Sequence, residues 1–163
     1  AQLKKQIQEL MFDPEDGYFY DIKLKDGSFV KVKGPEGWIP IWAGVATKSQ
    51  GESVLIKIMD PAIFNTKIPF PTLDASHPKF NPEKGYWRGP VWMDQAYFAL
   101  MGMKKYGYEN EALQLTSKIF SEIQYPALFE NYHPISGTGL NSPHFSWTAA
   151  HLYLMHIEML KQN

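Results

Sequence analysis

Cysteine and long apolar runs are absent from the chain, and its charges nearly cancel. The absence of cysteine excludes disulfide bridges and thiol catalysis. Because no run of about 20 apolar residues occurs, the sequence predicts no transmembrane helix and no membrane partner. The formal net charge of −1 gives no electrostatic reason to expect nucleic acid as a partner. These absences favour a soluble globular domain.

Aromatic residues are abundant: they make up 15% of the 163 residues and include five Trp and nine Tyr. Protein cores use some of them, and clefts that bind sugars also use them, because the C–H face of a pyranose stacks on a flat ring. The five histidines do not fall at metal-ligand spacing, since His151 and His156 are five positions apart. The sequence therefore predicts no metal site, and its aromatic content is compatible with sugar binding.

Apolar residues recur at helical spacing in several segments that are separated by long loops. The predicted helices cover residues 3–11, 51–59, 91–106, 109–123 and 145–160, with a further short helix over 38–46. Ser49 is the expected N-cap of the second helix. The expected inward face of the last helix consists of Trp147, Ala150, Leu154 and Ile157.

Strand signals are confined to one hairpin. Residues 17–24 alternate between apolar and polar types, Asp26-Gly27 is a turn signal, and residues 28–32 resume the alternation. Residues 61–89 and 127–143 are predicted loops, and loops of this length inside a domain are usually functional. The predicted fold class is all-α with a small β-hairpin.

The order helix, long loop, helix is typical of a toroidal helical barrel, in which the loops at one rim form the site. No short repeat of fixed period is present, which makes an array of helix pairs a weaker interpretation. A closed (α/α)6 barrel needs about twelve helices with their loops, roughly twice this chain. We therefore expect residues 1–163 to be a single segment of a partial (α/α)6 barrel and a fragment of a longer chain.

Three segments carry side chains that bind or break glycosidic bonds. The first is Tyr86-Trp-Arg-Gly-Pro-Val-Trp92, at a predicted loop-to-helix junction. Its tryptophans and Arg88 fit a sugar subsite, but they equally fit a structural role in which the tryptophans are core and Arg88 pairs with a carboxylate. Both interpretations stay open on spacing alone.

The second segment, Phe129 to Gly137, places a carboxylate, an amide, a phenol and an imidazole on one predicted loop. Such a loop can direct Glu130 into a cleft, with Asn131 or Tyr132 fixing its orientation, although a lone loop glutamate is more often a surface or capping residue. The third segment, His144 to Thr148, opens the last helix, where Ser146 or Thr148 can act as its cap.

Together these segments resemble the C-terminal half of the catalytic domain of glycoside hydrolase family 63, the family of processing α-glucosidase I and bacterial α-glucosidases. The resemblance rests on Tyr86-Trp-Arg-Gly-x-x-Trp92, Glu130-Asn-Tyr-x-Pro-x-Ser-Gly137 and Phe145-Ser-Trp-x-Ala-Ala150. Gly34-Pro-Glu-Gly-Trp38 and Asp60-Pro-x-x-Phe-Asn65 also resemble the bacterial members. The resemblance therefore covers nearly the whole chain.

The resemblance implies an inverting hydrolase of α-glucosidic bonds, in which one carboxylic acid protonates the leaving oxygen and one carboxylate deprotonates a water. Glu130 matches the family's general base, and Tyr132, His133 or Arg88 are expected to keep it ionised. The expected substrate-binding residues are Trp87, Arg88, Trp92, Tyr132, Trp38 and Trp147. The implied substrate is an oligosaccharide with α-linked glucose, and the chemistry implies no cofactor.

The family's general acid is an aspartate well upstream of the Tyr-Trp-Arg-Gly motif, in a segment that this chain does not contain. None of Asp21, Asp60, Asp74 and Asp94 lies in that acid motif. We therefore expect the chain alone to be inactive, with the missing N-terminal half of the barrel, or a second copy of the chain, as partner. A calcium site, if the longer protein has one, is expected in the missing part.

Two other classes of function stay open. The first is a non-catalytic carbohydrate-binding or structural helical domain that retains the motifs. The second is a sugar epimerase on the same barrel, for which His133 and His144 would be the bases, although neither lies in a matching motif. The resemblance favours a bacterial source with a periplasmic or secreted location as one option, and the sequence alone assigns no compartment.

Overall fold

The computed structural model describes residues 2–123 and 127–160, which are mostly helical with two small antiparallel sheets. The helices are α1 (Gln2–Gln6), α2 (Ile39–Trp42), α3 (Lys48–Met59), α4 (Met93–Lys105), α5 (Glu109–Glu122) and α6 (Ser146–Met155). Single π-helical turns, Ile7–Met11 and His156–Leu160, extend α1 and α6. The strands are β1 (Phe12–Asp13), β2 (Tyr18–Phe19), β3 (Phe129–Tyr132) and β4 (Gly139–Pro143). Within these ranges, no helix is both long enough and apolar enough to cross a membrane.

The predicted helices are present, and most begin and end within three residues of the predicted bounds. The predicted N-cap of α3 is wrong, since this helix begins at Lys48, earlier than predicted. Thr47 is its N-cap, and Ser49 is not: the Thr47 side chain accepts from the amide of Gln50, whose side chain accepts in return from the amide of Thr47. This capping box satisfies two of the free amides of the first turn.

The predicted hairpin over residues 17–32 forms only around its turn. The turn at Asp26-Gly27 is present, and Ile22 and Phe29 form an isolated antiparallel bridge next to it. The Lys23 amide donates to the carbonyl of Ser28, and the Val30 amide donates to the carbonyl of Asp21. Strand β2 pairs instead with β1. The reason is burial: residues 18–20 are all in the core rather than alternating between core and solvent, so they do not form the two-faced strand that their pattern predicted.

Helix α4 is central to the hydrophobic core and packs against α2, α5 and α6. Its buried residues are mainly small or apolar, with Ala96, Ala99 and Gly102 allowing close approach. A Cβ at Gly102 would lie 3.0 Å from the backbone nitrogen of Trp42 in α2. Small residues on α4 therefore allow neighbouring helices to pack close to it.

The predicted inward face of α6 is wrong. The buried residues are Thr148, Leu152 and Met155, whereas Trp147 is 59% exposed and Ala150 is exposed. The helix contains no Asp, Glu, Lys or Arg, so apolar spacing alone could not select the buried face. A hydrogen bond selects it: the Thr148 hydroxyl donates to the carbonyl of Phe129 over 2.6 Å.

The predicted loop over residues 127–143 is an antiparallel hairpin, β3 with β4. Its register shifts between Phe129 and Asn131, where Asn141 and Ser142 of β4 lie opposite Glu130 alone, so that β4 carries a bulge facing Glu130. The predicted loop over residues 61–89 contains no helix and no named strand. Pro71 in this loop forms a single bridge to Val91, just before α4. The two long segments thus meet beside the N-terminus of α4.

Candidate functional site

Glu130 lies on β3 opposite the bulge of β4, half-buried at the surface. Bulges are frequent beside active sites. The Tyr86 hydroxyl donates a hydrogen bond to Oε1 of Glu130 over 2.7 Å. This bond to Glu130 raises the pKa of the Tyr86 phenol, because the donor is held protonated. One oxygen of the carboxylate is thus oriented, and the carboxylate remains accessible to solvent.

Tyr86 reaches Glu130 from an unusual backbone conformation. Its φ of +58° lies in the left-handed region, which non-glycine residues seldom adopt. The Trp92 indole fixes this conformation from behind, since Nε1 donates to the carbonyl oxygen of Tyr86 over 3.0 Å. Strained backbone of this kind is concentrated at functional sites, and here it directs a phenol to a carboxylate 44 positions away in sequence.

Trp87 and Trp92 form a parallel stack, with ring centroids 4.6 Å apart and an angle of 1° between the planes. Trp92 is almost fully buried, whereas Trp87 is 47% exposed. One face of Trp87 is therefore supported by Trp92, and its remaining surface is available to a ligand. Tyr86 packs edge-on against both rings.

The Arg88 side chain is exposed beside this stack. Among residues 2–123 and 127–160, no carboxylate forms an ion pair with Arg88. The alternative role of Arg88, in which it pairs with a carboxylate to brace the loop, is therefore not seen in this part of the chain. An unpaired guanidinium beside a half-exposed indole is a suitable combination for binding a polar ligand with an apolar face.

Val91 holds the two halves of the site together. Its amide donates to the carbonyl of Tyr132 over 2.8 Å, and its carbonyl accepts from the Tyr132 amide over 3.0 Å. Val91 also bridges to Pro71. The Tyr86–Trp92 segment is thereby attached to the Glu130 strand through the backbone, which explains how segments far apart in sequence form one site.

Two of the residues expected to bind substrate, Trp38 and Tyr132, have no exposed surface. Trp38 packs edge-on against Phe64 and Phe70 in the core. The Tyr132 hydroxyl accepts from the amide of Phe129, which secures the bulge. Both correct the expectation of direct substrate contact, since they support the site from beneath it. Trp147, by contrast, is exposed.

The donor to Glu130 also differs from the expectation. Tyr132 stabilises the bulge, and Nδ1 of His133 accepts from the amides of Ile135 and Ser136 in its own turn. The buried Asn131 side chain accepts from the amide group of Asn141 on the facing strand. These side chains shape the hairpin, and the phenol that contacts Glu130 belongs to Tyr86, to which sequence reasoning assigned no site role.

The four aspartates considered as acids lie in different places. Asp60 follows α3 and accepts from the amide of Ala62, Asp74 is buried and accepts from Ser76, and Asp94 lies in the first turn of α4. Asp21 lines a cavity, described next. In the part of the chain that the structure describes, no group of three or more His, Cys, Asp or Glu side chains could hold a metal ion.

A cavity of about 510 Å³ is lined by Trp87 and Arg88 together with Glu36. Burial raises the pKa of Glu36 to about 7; the charge of Asp21 adds to the rise, and the backbone amides of Gly34 and Glu36 oppose it. Sequence reasoning gave Glu36 no site role. The available signal was its motif, in which Gly34 leaves room for the carboxylate: a Cβ there would lie 3.1 Å from a Glu36 oxygen.

Comparison with known proteins identifies a family for the chain. A family model described as "Mannosylglycerate hydrolase MGH1-like glycoside hydrolase domain" matches residues 1–148. The mannosylglycerate hydrolase of Rubrobacter radiotolerans is 30% identical over 147 residues, which are 88% of this chain and 33% of that protein. The mannosyl-oligosaccharide glucosidase of Saccharomyces cerevisiae is 25% identical over 162 residues, 86% of this chain and 19% of that protein.

A solved structure gives the same result. The GH63 mannosylglycerate hydrolase from Thermus thermophilus, in complex with glucose, superposes with a TM-score of 0.79 at 26% identity, over 90% of this chain and 35% of that one. The predicted fold, a segment of an (α/α)6 barrel, is confirmed. The chain spans about a third of the length of the mannosylglycerate hydrolases that it matches. The resemblance to glycoside hydrolase family 63 is likewise confirmed, and the chain belongs to the family of MGH1-like glycoside hydrolase domains.

Proposed function

We propose that this chain supplies the general base and part of the sugar-binding surface of an inverting glycoside hydrolase. The contact between Tyr86 and Glu130 is the observation that carries the proposal, because it orients an accessible carboxylate beside the exposed face of Trp87. In the proposed reaction Glu130 takes a proton from a water. That water attacks the anomeric carbon on the face opposite the leaving group, so the configuration is inverted.

The general acid is proposed to come from outside these residues. Inverting enzymes keep the two carboxyl groups about 6.5–9.5 Å apart so that the water fits between the base and the sugar. Asp60 and Asp74 are engaged with neighbouring backbone amides, and Asp94 is bonded to Gln95. The family places its acid upstream of the motifs found here. The chain alone is therefore proposed to bind sugar without hydrolysing it.

The proposed partner is the rest of the barrel. Large apolar side chains are exposed at both ends of the chain: Leu3 and Leu10 near α1, and Trp147 and Tyr153 on α6. Helix α6 has no charged residue on its exposed face, and a helix that is apolar all round is usually buried. Both surfaces suit packing against further helices of the same barrel, with residues 1–163 as its C-terminal segment. Self-association through the same surfaces is the alternative.

The proposed substrate is an oligosaccharide with α-linked glucose. Similarity to a protein named mannosyl-oligosaccharide glucosidase supports glucose. Greater similarity to proteins named mannosylglycerate hydrolase makes mannosylglycerate the second candidate. A non-catalytic carbohydrate-binding domain is a further alternative, since Trp87 and Arg88 are suited to binding in either case.

One set of measurements tests these proposals. The intact mass and oligomeric state of the purified chain are determined, together with hexose release from maltose and from mannosylglycerate. We expect no release by the chain alone, and release with inversion once the rest of the barrel is supplied. Glu130→Gln should then abolish turnover while sugar binding remains. Hydrolysis by the isolated chain would refute the proposal of an external acid, and full activity of Glu130→Gln would refute the assigned base.

A further inference from the structure

The cavity beside Trp87 has the composition of a sugar subsite. Val30 and Val32 provide half-exposed apolar surface on one side, and the outer edge of Trp87 provides aromatic surface on another. A volume of about 510 Å³ lies within the range of small-molecule pockets, roughly 300–1,000 Å³. Apolar patches of this kind match the C–H faces of a pyranose.

Two cationic side chains at the cavity are free to bind a ligand. Lys79 and Arg88 are exposed at its rim, and neither forms an ion pair within residues 2–123 and 127–160. They supply hydrogen-bond donors, while Asp21 supplies an acceptor. Donors and acceptors that alternate around apolar surface are suited to a neutral polyol, whose hydroxyl groups both donate and accept.

Glu36 is the least exposed of the charged groups around the cavity. It lies in the 3₁₀ turn Pro35–Gly37, and its carboxylate folds back over Gly34. The turn is fixed from the core, because the buried Tyr18 hydroxyl donates to the carbonyl of Gly34 over 2.6 Å. With a pKa of about 7, the carboxyl is partly protonated near neutral pH, so it can donate to a sugar hydroxyl as well as accept from one.

We propose that this cavity is a second sugar subsite, which holds the pyranose next to the one at Glu130, and that Glu36 is its specificity-determining residue. The proposal rests on the proposed glycoside hydrolase function. Trp87 connects the two sites: it stacks on Trp92, contacts Tyr86 edge-on near the Glu130 carboxylate, and lines the Glu36 cavity. A ligand of two rings is therefore expected to contact the Glu130 site and the Glu36 cavity together across Trp87.

The test compares one sugar ring with two on the full 163-residue chain. Methyl α-D-glucopyranoside and maltose are titrated by NMR, with the Glu130 amide reporting the first site and the Glu36 amide reporting the cavity. We expect maltose to bind at least about fivefold more tightly and to shift both signals, while the single ring shifts only the first. Val32→Trp, which fills the cavity, should remove the advantage of maltose, and Leu24→Trp at a fully exposed position is the matched control.

Two more variants keep the test decisive if Val32→Trp disturbs folding. Lys79→Ala removes an exposed donor at the rim and should weaken maltose about threefold or more, whereas Lys84→Ala in the same loop should not. Glu36→Gln should remove any dependence of maltose affinity on pH between about 5 and 8. Equal affinity for the two sugars, or maltose binding that none of these variants changes, would overturn the subsite and leave the first site intact. If neither sugar binds, the proposed function fails together with the subsite.

Discussion

Replacing Glu36 by Gln provides a direct test of its surroundings, because the substitution removes a charge and little else. Burial raises the pKa of this carboxyl from its ordinary value of 4.5 to about 7 in the folded chain. Each tenfold change in proton affinity is worth about 1.4 kcal/mol. The rise therefore corresponds to a cost of about 3 kcal/mol when the ionised carboxylate is kept in the folded protein.

The sign of the effect follows from proton binding. Below about pH 4.5 the carboxyl is protonated in both the folded and the unfolded chain, and the charge costs nothing. Between about pH 4.5 and 7 the unfolded chain loses its proton first, so the free energy of unfolding of the natural chain falls as pH rises. Glu36→Gln has no proton to lose at this position, and its advantage should grow over this interval and then level off.

The assay is urea unfolding of both chains at about pH 4.5 and about pH 8, followed by circular dichroism. We expect nearly equal stability at the lower pH and an advantage of about 3 kcal/mol for Glu36→Gln at the higher pH. Glu83→Gln, at an exposed position in the long loop, is the control and should show no such growth. If the difference between Glu36→Gln and the natural chain is the same at both pH values, the described burial of Glu36 is wrong.

Three further outcomes are expected. Glu130→Gln should lower the pKa of Tyr86 toward its ordinary value, because the charged acceptor that holds the phenol protonated is lost. A pH titration followed by ¹³C NMR of labelled tyrosine measures the pKa of Tyr86. Thr148→Val should lower the free energy of unfolding by about 1–3 kcal/mol, since it leaves the carbonyl oxygen of Phe129 without its donor. Gly37→Ala should destabilise the chain more severely, because the added Cβ would lie 1.9 Å from the buried Tyr18 ring. Urea unfolding measures both of these effects.

Each of these outcomes has a control or a contrary result. For the tyrosine titration, Tyr153→Phe assigns the signal of an exposed tyrosine that serves as the reference. If Glu130→Gln leaves the pKa of Tyr86 unchanged, the hydrogen bond between Tyr86 and Glu130 is contradicted. Thr138→Val, at an exposed hydroxyl of the same hairpin, should cost much less than Thr148→Val. An unchanged unfolding midpoint for Gly37→Ala would contradict the close packing of this turn against Tyr18.

The sequence predicted the helices well because their apolar spacing agrees with their final packing. It failed at α6, where nearly every residue is apolar or small and only the Thr148 hydrogen bond selects a face. It also failed at residues 18–20, where three consecutive aromatic side chains enter the core. In both places the buried side chains are decided by contacts with residues outside the segment, and the periodicity of the segment contains no information about those contacts.

In the candidate site too, some residues could be predicted from the sequence and others could not. Glu130, Trp87 and Arg88 could be singled out because motifs mark them. Tyr86 and Glu36 also lie in motifs but received no role, since their roles depend on a left-handed backbone angle and on burial behind Gly34. Trp38 was assigned to substrate because aromatic side chains in a motif are ambiguous, and only its fully buried position distinguishes a core residue from a ligand contact.

The double hydrogen bond between Val91 and Tyr132 also has a mechanical consequence. The segment that bears Trp87 and the strand that bears Glu130 share one backbone clasp, so neither can swing open without breaking it. Ligand binding at either segment should therefore slow hydrogen exchange of the Val91 and Tyr132 amides together. The proposed base Glu130 and the Trp87 ring, joined in this way, keep their spacing, and any opening movement must be sought among other segments.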